Sequence, residues 1–413
     1  MQRVFVIGGG AAGCMAAWAA SRRGAVVELF EKNDIVGKKM GITGKGRCNL
    51  TNSCPMDAFI AKTPGNGRFL HSAYEQFTNR DLCSLLRQWG MATKEERGGR
   101  IFPQSDSAVA VRKLWYHKLL QAGVTIHLQE EVQHIAYRDS FFVITTANGV
   151  YEGDACVIAT GGVSYPTTGS TGDGHRFAAA LGHTVTPLKP SLIALVTQEE
   201  WPKQLAGLTL KNVEASIWKN GKPTARQFGE MVCTHTGISG PIILQLSSVM
   251  AHHKKMAFPI DIRLNLKPAL RPEQLEQRIW RELQAHIRQD AKNALKTVLP
   301  QRLLAVVLAA AHISQETVAH QITKEQRRRL VTALQALPLT AVCTRPIEEA
   351  IVTAGGVEVK EINPKTMESK YVPGLYFAGE VLDVDAFTGG YNLQAAFSTG
   401  YVAGSAAAQE DEA

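Results

Sequence analysis

The sequence predicts an α/β protein: a Rossmann-type parallel-sheet domain, interrupted by an inserted domain that is first β and then helical. Three observations carry this reading. The chain opens on strand, glycine turn, helix, strand; alternating apolar segments take over from about residue 191; and strand, Gly-Gly turn and small-residue helix return near the end. The expected boundaries are 1–190 and 346–413 for the two parts of the first domain and 191–345 for the insert.

The opening element is "RVFVIGGGAAGCMAAWAASRRGAVVELFEK". Val4 to Ile7 is a short buried run. Gly8, Gly10 and Gly13 form GxGxxG, a small-residue helix runs from Ala11 to Ala20, and Gly24 ends it. The next strand closes on Glu31, 18 residues beyond Gly13. A lone GxGxxG says little, but between strand and helix, with an acid at this spacing, it marks a dinucleotide site. Its glycines let a pyrophosphate approach the helix N-terminus. Glu31 can accept hydrogen bonds from a ribose hydroxyl and disfavours a 2′-phosphate, so the tight ligand is FAD or NAD rather than NADP.

Helices are expected at Asn79–Gly90, with Asn79 as N-cap and a stripe of Leu82, Leu85, Leu86 and Trp89, and at Asp106–Ala122. "VTIHL" and "FFVITT" read as strands, and "ACVIATGG" as a buried strand entering a second glycine turn. In the insert, "SLIALVT", "VEASIWKNGKPTARQ" and "MAFPIDIRLNL" alternate like antiparallel strands, with "NGK" as a hairpin turn. Then Leu275, Ile279, Leu283 and Ile287 repeat at helical spacing, and Thr323 to Gln326 is a capping box before "RRRLVTALQAL".

The stretch "GITGKGRCNLTN", residues 41–52, holds glycines, two cations and a thiol but no acid. Such a loop suits close backbone approach to an anion. Since only one GxGxxG context exists, and since "YFAGE" supplies a second strand ending in a carboxylate, a flavin dinucleotide fits better than NAD. Glu380 suits a ribityl chain, and the helix start Gly390-Tyr391-Asn392-Leu393 suits negative charge on a reduced ring. The anion is then the FAD pyrophosphate, with Lys38, Lys39 and the loop over it. Cys48 lies toward the ring or is a buried inert thiol. Ala12, Lys32, Thr160, Gly161 and Gly379 complete the cofactor-binding candidates.

The bulk numbers are those of an ordinary globular chain, with 45% hydrophobic and 20% charged residues. The start leaves no room for a signal peptide, and no apolar run approaches the roughly 20 residues of a membrane span. Seven scattered cysteines suit a reducing cytoplasm, and no ligand cluster suggests a metal. Net charge is +8, but residues 201–345 hold 21 Lys+Arg against 9 Asp+Glu, a net of +12. A solvated basic face and a polyanion-binding surface both account for it.

The motifs "GKKMGITGKGRCNLTN", "GRIFPQS", "ATGG", "GEMVCTHTGISGP", "AIVTAGGVEVKEINPKTMES" and "GLYFAGEVLDVDAFTGGYNLQ" resemble a bacterial FAD flavoprotein family almost end to end. Its members include ribosomal-RNA dihydrouridine synthases, a proposed bile-acid reductase and aminoacetone-oxidase-like proteins. The resemblance implies a glutathione-reductase-like FAD domain with an insert. It also implies FAD contacts at Glu31, Lys38, Lys39, Thr43, Gly44, Arg47, Cys48, Asn49, Glu380, Asn392 and Leu393, with Val132 near the adenine.

Three functions follow. A ribosomal-RNA dihydrouridine synthase would deliver hydride to C6 of uracil and a proton to C5, with RNA held by the basic insert, including Arg327, Arg328 and Arg329. A small-molecule enoate reductase or amine oxidase fits the FAD half equally but leaves the charge unexplained. A flavin-containing RNA-binding protein without turnover explains the charge but not the loop. NAD(P)H is the expected transient reductant. The catalytic candidates are Cys48, its acidity raised by Arg47, and His235 in the "THTG" turn, expected at the mouth between insert and FAD domain.

Overall fold

The computed structural model describes residues 1–253 and 256–409; residues 410–413, counted above in the second part of the Rossmann-type domain, lie outside the described residues. The chain divides into two compact units, Met1–Ser191 joined by the chain from Pro346 onward, and Leu192–Arg345.

The first unit is built on a five-stranded sheet. The strand order is Leu375–Phe377, Ala155–Ile158, Arg3–Ile7, Val26–Glu31 and Thr125–Leu128. Every pairing is parallel. Val4, Phe5, Val6, Cys156, Val157 and Ile158 are buried, as expected of a parallel sheet covered on both faces. The registers Ile7↔Ile158 and Ile158↔Phe377 align three carboxyl ends, and Ile7↔Phe30 adds the strand that closes on Glu31. Chain that leaves one such end therefore meets chain that leaves the others.

Two helices lock the N-terminal and C-terminal parts together. Ala11–Ser21 packs against Tyr391–Ala407. A Cβ on Gly400 would lie 2.3 Å from the Ala12 carbonyl oxygen, and one on Gly404 would lie 2.0 Å from that of Ala16. The small residues seen in both helices are thus required by backbone contact. Elsewhere in this unit the helix Asn79–Gln88 is capped by Thr78, not Asn79. Thr78 forms a capping box with Asp81, and Asn79 instead donates its amide to the Asn52 and Cys54 carbonyls. The helix Ala108–Gln121 starts two residues later than expected, because Ser107 caps it and Asp106 sits outside at φ 50°.

The second unit is a closed six-stranded barrel. Its order is Leu195–Thr197, Gly237–Ser239, Lys222–Thr234, Thr209–Lys219, Ile260–Asn265 and Leu337–Thr344, which returns to Leu195–Thr197. The Asn220-Gly221 turn has φ of 52° and 73°, the left-handed pair that a two-residue hairpin needs. The helices do not follow the β part. Pro272–Ala285, Gln301–Ala310 and Lys324–Gln335 are threaded between the fifth strand and the sixth. The reading of β part then helical part missed that final strand, whose sequence LPLTAVCT has neither a turn signal before it nor charge along it. The capping box at Thr323 is present. Ile287 is not part of the stripe: Leu275, Ile279 and Leu283 are buried, but the helix ends at Ala285 and Ile287 is exposed.

Among the described residues no helix is long and apolar enough to cross a membrane, and no cluster of His, Cys, Asp and Glu could hold a metal ion. Gly404→Val tests the helix contact. It should destabilise the protein by ~2 kcal/mol or more, read as a lower thermal midpoint. An unchanged midpoint would show that the two helices separate without cost.

Candidate functional site

The three glycines of the first turn are glycine for different reasons. Gly8 has φ 100°, and a Cβ there would lie 2.7 Å from the Ala159 carbonyl oxygen. A Cβ on Gly13 would lie 1.8 Å from the oxygen of Gly8. Both are dictated by the protein itself. Gly10 is not: its φ is −74°, and a Cβ would meet nothing within 4 Å. It caps the Ala11–Ser21 helix with no side chain over the end. An open, uncapped helix N-terminus guarded only by glycine is what a pyrophosphate requires.

Glu31 closes the neighbouring strand over this turn. Its carboxylate accepts from the Gly9 N–H (2.7 Å), the Asn33 N–H (2.8 Å) and the Asn33 amide (2.6 Å). It is buried, and these three donors fix where it points. Glu130 donates its N–H to the Glu31 carbonyl, which places Val132, buried at the start of the next strand, beside the same end. Lys38 donates to the Asn33 side-chain oxygen at 2.9 Å. Lys32 turns to Asp173 at 2.5 Å and to Thr171, so its charge is compensated within the protein.

The loop 37–52 is pinned at both ends. Lys39 bonds Glu380 at 2.8 Å and the Ser164 hydroxyl at 2.7 Å. Glu380 also accepts from Ser164 (2.9 Å) and from the Thr353 N–H (2.8 Å). Thr43 donates to the Met40 carbonyl, and Gly44 is left-handed at φ 59° against Asn49 and Phe102. Arg47 stacks over Phe102 at 4.1 Å and pairs with Glu96 at 2.7 Å. The Asn49 amide, oriented to satisfy its neighbours, donates to the Thr51 and Ile101 carbonyls and accepts from the Gly390 N–H.

The expected acidification of Cys48 by Arg47 is not met. Arg47 spends its charge on Glu96 and Asp106. Cys48 is 0% exposed. Burial pushes its thiol up to about 12, with only a Thr43 hydrogen bond pulling the other way.

The remaining turns meet at the same sheet edge. Thr160 and Gly161 follow the strand Ala155–Ile158, and Gly161 is left-handed at φ 76°. The Thr160 hydroxyl is buried without a hydrogen-bond partner. Gly379 has φ 76°, and a Cβ there would lie 2.8 Å from that of Ala12. Gly390, at φ 98°, presses on Thr51: a Cβ would lie 2.3 Å from the Thr51 carbonyl oxygen. The helix Tyr391–Ala407 begins there without a side-chain cap. Asn392 is used internally, bonding both the N–H and the carbonyl of Ala386, and Leu393 is half-buried behind it.

One sheet edge thus gathers Gly8, Gly10, Ala12, Gly13, Glu31, Lys38, Lys39, the 43–49 loop, Thr160, Gly161, Gly379, Glu380 and Gly390. Asn33, Ser164, Thr353 and Asp173 also belong to it. Only Asn33 carried a signal, two residues beyond Glu31. His235 stands exposed in the turn between two barrel strands, and Arg327 to Arg329 lie on a helix of the second unit. Ser369, His183 and Glu361 mimic a hydrolytic triad, at 2.8 and 3.0 Å, but Ser369 accepts two backbone N–H groups and the His183 side chain is sealed, so this is a clasp.

The open Gly10, the unpartnered Thr160 hydroxyl and two uncapped helix N-termini fit FAD. Residues 2–406 match the family described as HI0933-like protein Rossmann domain, and the chain belongs to that family. It is 33% identical over 99% of its length to the whole of a 3-dehydro-bile acid delta(4,6)-reductase from Clostridium scindens. It is 31% identical to a ribosomal RNA dihydrouridine synthase from Escherichia coli, covering 96% of each chain. Among solved structures, 3-ketosteroid delta1-dehydrogenase from Sterolibacterium denitrificans shares the fold, with TM-score 0.55 and 13% identity over 99% of this chain and all of that one. The protein is an FAD-dependent oxidoreductase.

Gly10→Ala separates ligand approach from folding. The substitution should leave the thermal midpoint of the flavin-free protein unchanged and reduce FAD retained through purification by ~10-fold or more, about 1.4 kcal/mol of binding. Full retention would mean that the ligand does not pass over Gly10.

Proposed function

We propose that the protein saturates a carbon–carbon double bond conjugated to a carbonyl, and that its substrate is a uridine of ribosomal RNA. Two of its relatives carry names that describe adding hydrogen across a double bond, one in a bile acid and one in ribosomal RNA. FAD, when bound, would supply the hydride for the carbon β to the carbonyl, and a visiting NAD(P)H would be its reductant.

This chain's residues do the rest. Glu31 holds ribose. The Lys39–Glu380 pair ties the loop to the sheet edge, and the open helix start at Tyr391 favours negative charge nearby. The α-carbon must also receive a proton. Cys48 has no exposed surface with which to give it. His235, exposed on its turn, is assigned to substrate contact.

The observation that carries RNA over a small molecule is the charge of the second unit, net +12 over residues 201–345. Its guanidinium groups bond to carbonyls rather than only to carboxylates: Arg278 to Thr297, Arg302 to Gln204 and Arg329 to Ala311. Such bonds orient a cation without cancelling its charge, which remains for phosphate. Arg327 is more committed, stacked 4.3 Å over Trp280 and bonded to the Ile322 carbonyl. A ribosomal substrate places the reaction in the cytoplasm. The small-molecule reading keeps one specific support, the 33% identity to a bile-acid reductase along its whole length.

Mass spectrometry of ribosomal RNA from a deletion strain tests the assignment: one dihydrouridine should disappear and return with the wild-type gene. Intact modification would leave the small-molecule reading. Within the second unit, Arg281→Ala with Arg328→Ala, both exposed, should lower the salt slope of RNA binding by about 1 per lost phosphate contact. FAD content should stay as in wild type. Arg327→Ala should cost stability as well, since it uncovers Trp280. An unchanged slope in the double variant would make this a solvated helix face.

A further inference from the structure

We propose that Cys54 hands the proton to the substrate carbon, and that Tyr391 is its positioning partner. The inference deepens the reduction proposed above and rests on it.

Cys54 is held in place from several directions. Its N–H donates to the Asn52 side-chain oxygen at 3.1 Å. Its carbonyl accepts from the Asn79 amide at 3.0 Å, and the same amide donates to the Asn52 carbonyl at 2.6 Å. Asn52 in turn donates to the Gly389 carbonyl at 3.1 Å. Two buried asparagines therefore fasten Cys54 to the Gly389–Gly390 turn, at the open start of the C-terminal helix. This explains why Asn79 is not the cap of its own helix. Its amide is committed to Cys54.

The thiol meets the hydroxyl of Tyr391, the first residue of that helix. Tyr391 packs edge-on against Phe59, with centroids 5.0 Å apart, and Phe59 packs against Tyr74 at 5.5 Å. Tyr74 is 1% exposed, its hydroxyl meets the Thr63 side chain, and it lies near the same thiol. Cys54 itself is only half-buried, unlike Cys48, Tyr74 and Tyr391, which are buried. The ionisable groups facing it are Tyr391, Tyr74 and the Lys62 ammonium.

Burial raises the Cys54 thiol above its ordinary value, with the Tyr391 hydroxyl pulling it back, and raises Tyr391 to about 12. Both keep their protons at neutral pH, the form a donor needs. As hydride reaches the β-carbon, the double-bond electron pair moves toward the carbonyl and the α-carbon takes a proton. A C–H bond forms there and the S–H bond breaks. The thiolate left behind accepts the Tyr391 hydrogen bond, lies near Lys62, and regains its proton from water. The two electrons of the reduction arrive with the hydride.

The test uses holoenzyme reduced under nitrogen and mixed separately with ribosomal RNA from the deletion strain and with a 3-oxo-Δ4,6 bile acid. With the substrate that reoxidises wild type, Cys54→Ala and Cys54→Ser should each slow reoxidation by ~100-fold or more at wild-type flavin content. Tyr391→Phe should slow it less. A second reading needs no turnover: alkylation of Cys54 by iodoacetamide, followed by peptide mass spectrometry across pH. Loss of the Tyr391 hydrogen bond should move the alkylation midpoint to higher pH, which a purely packing role would not do. Reoxidation of Cys54→Ala at the wild-type rate overturns the proposal, and so does an unmoved midpoint in Tyr391→Phe. If neither substrate reoxidises wild type, the reduction itself is wrong and this inference falls with it. The wild-type trace tells that outcome apart from a failure of Cys54 alone.

Discussion

The contact that the first unit depends on is backbone against backbone: Gly400 and Gly404 lie directly on the carbonyls of Ala12 and Ala16. The last helix can approach the first this closely only without side chains at those positions. Close approach matters because it brings together two helices that begin at different glycine turns, Gly10 and Gly390, neither with a side-chain cap. A helix pair spaced by leucines would stand 8–10 Å apart. The C-terminal strand, with Gly379 pressed against Ala12, would then move out with it. The domain is discontinuous in sequence, and this contact makes its two parts one site.

Against that rigid seam, the 37–52 loop is shaped by strain and by buried polar bonds. Lys45 and Cys48 both have positive φ without being glycine, at 60° and 63°. Each such residue costs about 1–3 kcal/mol and persists only where its surroundings over-determine it. The surroundings here are the Lys39–Glu380 pair on one side and the Asn49 and Asn52 amides on the other. Several side chains expected at the cofactor also hold the backbone of these turns. Asn392, which clamps Ala386, is the clearest instance.

This explains which features were legible in the sequence. Gly8 to Glu31 could be read because local geometry and ligand chemistry ask for the same residues in the same order. The NGK hairpin and the Thr323 capping box were legible for the same reason, each being complete within a few residues. What escaped was non-local. The strand Leu337–Thr344 belongs to the barrel because partners far away in sequence need a neighbour: it pairs with Ile260–Asn265 on one side and with Leu195–Thr197 on the other. Asn79 looked like a cap until its amide was required by Asn52 and Cys54. Thr353 gives no hint of its role because its N–H, not its side chain, reaches Glu380.

The cysteines show the limit most clearly. Cys48 sits in the most distinctive stretch of the chain, beside an arginine, and everything local argues for reactivity. Burial decides otherwise, because removing a thiolate from water outweighs a nearby cation that is already paired with Glu96 and Asp106. Cys54 sits six residues on, in "NSCP", with no charge beside it. Yet the fold spends two asparagine side chains to fix its backbone and leaves it half-buried beside two buried tyrosines. Accessibility and orientation are properties of the assembled turn, so the residue best placed to act is the one with the least conspicuous neighbours.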